Sequence, residues 1–250
     1  MNEAITDLLL KMGDDALVLG HRNSEWTGLG PVLEEDIAFS SMAQDKIGHA
    51  IALYNILHED FGAPSPDDLA YKRKPDAFRC CHFVELPIGE YDFSLVRHFF
   101  FDHAEACRYR LLEHSSNNRL AALARKVRGE IKYHVMHADT WIKELGQAST
   151  ESRERIIRSI QMAYPYALGI FEPCQRESDL ITSGIFPGEE ALRQEWLHSV
   201  QSVLEPIQIA LPQDRVEPVF GGRKGVHTPH LQALLDEMTE VHRMEPDAEW

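Results

Sequence analysis

An all-α fold is what this sequence predicts: a four-helix bundle with additional helices at its C-terminal end. Two features carry that reading. Over long segments apolar residues recur at intervals of three and four, the spacing of a helix face, and the segments are divided by Gly, Pro and Asx clusters with no strand-like alternation between them. Seven helices are expected, near residues 3–24, 32–61, 91–114, 118–145, 150–172, 188–209 and 229–244. They form a single domain, 1–250, with core helices over about 3–145 and packing helices over about 150–244. A chain this long buries roughly three quarters of its unfolded surface, enough for one large core.

The helix boundaries have local causes. GAPSPDD follows the second helix, HSSNN the third and LGQAST the fourth, while FPGEE precedes the sixth, all of them turn or capping chemistry. Thr228 followed by Pro229 opens the last helix, Thr as a cap and Pro at a first position where no amide bond is lost. The segment 62–90 is long for a bundle connection and reads as a crossover or a partner-binding loop.

Composition narrows the function. Lys and Arg number 25 against 40 Asp and Glu, a formal charge of -15 that repels phosphate backbones and anionic lipid headgroups, so neither nucleic acid nor membrane is expected as a partner. The opening stretch carries acids and no basic n-region, unlike a signal peptide. Cys80, Cys81, Cys107 and Cys174 show neither CxxC pairing nor disulfide density, which fits reduced thiols in the cytoplasm. Cys80 and Cys81 followed by His82 are read as structural, since neighbouring side chains seldom converge on one ion. EPDAEW at the end reads as a solvated tail.

The informative residues are polar ones in apolar stripes. On the second helix Asp45 and His49 interrupt the stripe Ala38, Met42, Ala52, Ile56; on the third, Asp102 and Glu105 lie near His98; on the fourth, Glu130, His134 and His137 lie between Val127 and Trp141. Buried charges need partners or metal, and the known bundle solution is a di-metal site with Glu-x-x-His on two helices and Glu on two others. Here Asp45 with His49 and Glu130 with His134 are spaced by four, and the positions three after the acids are Gly48 and Tyr133. One residue rotates a ligand by about 100° around the axis. A metal-free, salt-bridged polar core is therefore favoured, with Arg22 on the first helix as the cation standing in for the metal. A second candidate is the loop Gly221–Thr228, where Arg223 and Lys224 before a helix N-terminus are placed to hold an anion such as a phosphate; a structural loop at a contact between subunits is the favoured alternative.

LVLGHRNSEWTG, EEDIAFSSMAQDKIGHA, EIKYHVMHADTWIKELG and GGRKGVHTPHLQALLDEM together resemble the C-subunit family of bacterial ring-1,2-phenylacetyl-CoA epoxidases, over essentially the whole chain. That resemblance implies a ferritin-like fold without a functional di-iron centre, no catalytic residue, and no cofactor in this chain. The di-iron centre belongs to a catalytic A subunit, which this subunit supports in phenylacetate breakdown; a small B subunit and an iron-sulfur flavin reductase complete the complex, and a homodimer stays open. Two rivals remain: a self-sufficient di-metal oxygenase or oxidase using Asp45, His49, Asp102, Glu105, Glu130 and His134, and a binding module in which Arg223 and Lys224 hold coenzyme A.

Overall fold

The computed structural model describes residues 2–212 and 216–245; the closing EPDAEW lies outside them beyond Glu245. Among the described residues the chain is helical and has no strand. Its helices are α1 (Asn2–Ser24), α2 (Leu33–Phe61), α3 (Pro66–Tyr71), α4 (His82–Glu85), α5 (Tyr91–Leu112), α6 (Asn118–Ala148), α7 (Thr150–Gly169), α8 (Glu177–Thr182), α9 (Glu189–Leu204), α10 (Pro229–Met238) and α11 (Glu240–Met244). The fold is all-α and of ferritin-like type. The expected long helices are present within a few residues, except that the one expected over 229–244 breaks at Thr239 into α10 and α11. The connection 62–90 is not bare loop but carries α3, a 3-10 turn at Pro75–Ala77 and α4, and α8 was not expected. The helix expected over 188–209 stops at Leu204 and tightens into a 3-10 turn over Glu205–Ile207, because Pro206 has no amide to continue the helical hydrogen bonds.

Local chemistry sets the ends. Glu34, Glu35 and Asp36 place negative charge in the first turn of α2, where the helix dipole favours it. Gly62 closes the same helix in the left-handed conformation, its amide returning to His58. Asn117 caps α6 by accepting from the Leu120 amide at 2.9 Å, and Ser149 with Ser152 forms a capping box on α7. Thr228 departs from expectation: its hydroxyl does not cap α10 but donates to Glu85 Oε2 at 2.7 Å.

α1 packs along α2 and α5 along α6; segment 62–90 crosses between the pairs, and α7 and α9 lie against α5 and α6. Phe99, Phe100, Trp196 and Ile160 are among the buried apolar residues that join these helices in one core.

The glycine-rich loop before α10 is pressed onto the backbone of residues 76–81. A Cβ on Gly222 would lie 2.0 Å from the Cys80 carbonyl oxygen. At Gly225, where φ is +76°, a Cβ would come 2.3 Å from the Asp76 carbonyl oxygen. Close backbone approach therefore accounts for these two glycines. Gly222→Ala should lower unfolding free energy by about 1–3 kcal/mol through overpacking, read as a lower urea midpoint with an unchanged m-value.

Candidate functional site

The polar centre is built around a lysine. Lys46 on α2 is fully buried, and its ammonium donates to Asp102 Oδ1 at 2.7 Å and to Glu105 Oε2, both on α5. The other Asp102 oxygen accepts from His98 Nδ1 at 2.9 Å, and His98 Nε2 reaches Asn23 on α1 at 2.9 Å. One lysine and one histidine thus link α1, α2 and α5 through a single aspartate.

Around this centre α2 and α6 exchange three acid–histidine pairs. His137 meets Glu35 at 3.0 Å, His134 meets Asp45 at 3.0 Å and His49 meets Glu130 at 2.7 Å, through Nε2 in every case. Asp45 and Glu130 do not pair with the histidines four residues along their own helices; each reaches across to the other helix. Both sit at the rim, the Glu130 side chain 48% exposed, so neither is the inward carboxylate the stripe pattern suggested. Glu35 is the deepest acid of the three, also accepting from Tyr91 Oη at 2.7 Å and Trp141 Nε1 at 2.6 Å. Sequence reasoning missed it, although it lies with Phe39 and Met42 on the inner side of α2.

The electrostatics follow from burial and from the central ammonium. Burial alone would lower the Lys46 pKa, but Asp102 and Glu105 more than reverse it and hold it above its ordinary value. Burial likewise works against the Asp102 charge, yet Lys46 and then His98 hold that carboxyl far below the usual carboxylate range. Burial, followed by the repulsion of Lys46, pushes His134 down to about 2, and burial lowers His98 as well. A neutral His134 carries its proton on Nε2, which donates to Asp45. The Nδ1 atoms of His49, His134 and His137 are all buried without a partner.

As placed, these groups are paired with one another across the helices and do not converge on a common point. Among the described residues no three donors of the central core approach within 4.8 Å of one another; the group that does is Cys80, Glu85 and His227, elsewhere in the fold. Counting back three residues from the histidines gives the reason. The Glu position of a Glu-x-x-His pair is occupied by Lys46 before His49 and by buried Ile131 before His134. Bare ring nitrogens remain, but the α5 carboxylates are already bonded to an ammonium. Expecting acid first and histidine second at a spacing of four concealed this; the signal was Lys-x-x-His in the second helix.

Arg22 is not the cation of the polar centre. Its guanidinium turns to the Glu85 carbonyl at 2.8 Å and to Glu25 at 2.6 Å, and Lys46 takes the role expected of it. In the glycine-rich loop, buried Arg223 forms a bidentate pair with Asp15, both bonds 2.7 Å, and donates to the Arg79 carbonyl at 2.7 Å. The loop amides of Gly221 and Arg223 donate to Glu172 Oε2 at 2.8 and 3.4 Å. The anion this loop holds is therefore a carboxylate of its own chain. Lys224 stays largely exposed, 3.8 Å from Glu172.

A family model described as phenylacetic acid catabolic protein matches residues 1–250. A relative from Escherichia coli (strain K12), the C subunit of 1,2-phenylacetyl-CoA epoxidase, is 29% identical over 250 residues, covering 100% of both chains.

Two outcomes are expected. Lys46→Met leaves Asp102 and Glu105 buried without their cation and should cost about 3–5 kcal/mol of stability in urea unfolding. The pH dependence has a defined sign. His134 is harder to protonate when folded than when unfolded, so the unfolded chain gains a proton that the native state refuses. Stability should fall as pH drops below about 6.5, and His134→Gln should flatten that slope between about pH 6.5 and 4.5 in urea titrations at fixed ionic strength.

Proposed function

The chain belongs to the phenylacetic acid catabolic protein family, and from that premise we propose that it is a supporting subunit of a multicomponent 1,2-phenylacetyl-CoA epoxidase, without a di-iron centre of its own and acting beside a catalytic di-iron subunit. The observation that carries this reading is the Lys46 ammonium bound to Asp102 and Glu105. Ferritin-like bundles that use metal fill this region with carboxylates and histidines from four helices around two ions. Here one ammonium takes the α5 carboxylates, and cross-helix bonds to Glu35, Asp45 and Glu130 hold the histidines.

What the centre does instead is fix helix positions. Losing Lys46 would leave two buried carboxylates without their cation, which holds α2 against α5, while the acid–histidine pairs tie α2 to α6 and His98 ties α5 to α1. Such a frame suits a subunit whose task is to present a surface. Leu33, Ile37 and Ile51 on α2, with Tyr133 and Met136 on α6, are exposed apolar side chains, of the kind that an interacting protein buries. The rival di-metal oxidase would require Lys46 to leave its two carboxylates. A coenzyme A module built on Arg223 would require that guanidinium to abandon Asp15, with which it is buried.

The test is turnover. The purified chain supplied with iron, reductant, O2 and phenylacetyl-CoA should form no ring epoxide, and adding it to the catalytic subunit should raise that subunit's turnover. Epoxidation by the isolated chain that disappears in Glu130→Gln would overturn the proposal.

A further inference from the structure

Away from the polar centre, Cys80 Sγ, Glu85 Oε1 and His227 Nδ1 face one another. The thiol lies 3.8 Å from the carboxylate oxygen and 3.9 Å from the ring nitrogen, which are themselves 2.7 Å apart. We propose that these three side chains form a structural binding site for one zinc-class divalent cation, clasping the segment before α5 to the segment that opens α10.

The donor set is a thiolate, an imidazole and a carboxylate, the combination that zinc takes. With Zn–S near 2.3 Å and Zn–N or Zn–O near 2.0–2.1 Å, the edges of a tetrahedral site are about 3.3–3.6 Å. The two edges at sulfur are within a few tenths of an ångström of that, and the nitrogen–oxygen edge has to open by about half an ångström. Backing groups point the donors inward, as they do at metal sites. His227 Nε2 donates to the Phe78 carbonyl at 3.1 Å, which leaves Nδ1 as the ligand atom. Glu85 Oε2 accepts from both the amide and the hydroxyl of Thr228 at 2.7 Å, which leaves Oε1 free. Cys80 and Glu85 are fully buried.

The charges balance on occupation. Thiolate and carboxylate together carry two negative charges, which one divalent cation cancels in an apolar surrounding. Without an ion, one proton lies between His227 Nδ1 and Glu85 Oε1, and another on Nε2 faces the Phe78 carbonyl. Binding displaces to solvent the proton between His227 and Glu85 and the Cys80 thiol proton, two protons per cation, with water in the fourth coordination position. The site joins residues 142 apart in the chain, so its occupation stabilises the native state without touching the polar centre.

The experiment uses the full chain, stripped with chelator, incubated with zinc and dialysed against zinc-free buffer before elemental analysis. About one zinc per chain is expected, falling about tenfold or more in Cys80→Ser and in His227→Gln. If those variants do not fold, cobalt(II) added to stripped wild-type protein should give thiolate-to-cobalt charge-transfer absorption. Wild-type protein that retains no zinc, variants that retain as much as wild type, or cobalt binding without the thiolate band would overturn the proposal. Because zinc is read here and epoxide formation in the functional test, either can fail without the other.

Discussion

The contact between the Lys46 ammonium and the carboxylates of Asp102 and Glu105 organises the interior. A bundle that brings acids and histidines inward must neutralise them, and in a dry core each uncompensated ion costs several kcal/mol. Lys46 meets that requirement with one side chain of α2 bonded to two of α5. His98 extends it to Asn23 on α1. The same positive charge helps keep His134 neutral, which fixes the tautomer that bonds Asp45 on the opposite helix. The arrangement of α1, α2, α5 and α6 thus follows from where one positive charge is buried.

A second buried ionic system performs the corresponding task at the end of the chain. Arg223 reaches Asp15 on α1, Lys11 on the same helix pairs with Glu189 at 2.6 Å, and Arg108 on α5 joins Glu189 at 3.1 Å. Gly222 and Gly225 let the loop lie close enough to residues 76–81 for Arg223 to enter. The most distinctive motif near the C-terminus is therefore a clasp between α1, the crossover segment and α10. Its basic residues resemble a phosphate loop in sequence because an internal carboxylate, Glu172, is bound by the same amide chemistry that would bind an external anion.

The long helices were legible because their apolar spacing and end signals agree, as at Asn117 and Gly62. α4 and α8 were not, being four and six residues long and shaped by what they pack against. Within the polar centre, Asp45, His49, Asp102, Glu105, Glu130 and His134 were identified as the chemistry-bearing residues, yet their pairing was not. Helical spacing reports which side of one helix a residue occupies and says nothing of the register between helices, and register pairs His49 with Glu130 and His134 with Asp45. Lys46 went unnoticed because lysine is almost never fully buried unless paired. Arg22, the more obvious cation, found backbone carbonyls instead.

Iron and manganese per chain, measured by elemental analysis of protein expressed with iron supplied and purified without chelator, bear most directly on whether an ammonium replaces the metal pair. Near-zero iron and manganese is the predicted result. About two such ions per chain would mean that Lys46 gives way and the centre closes around metal, contradicting the supporting-subunit account.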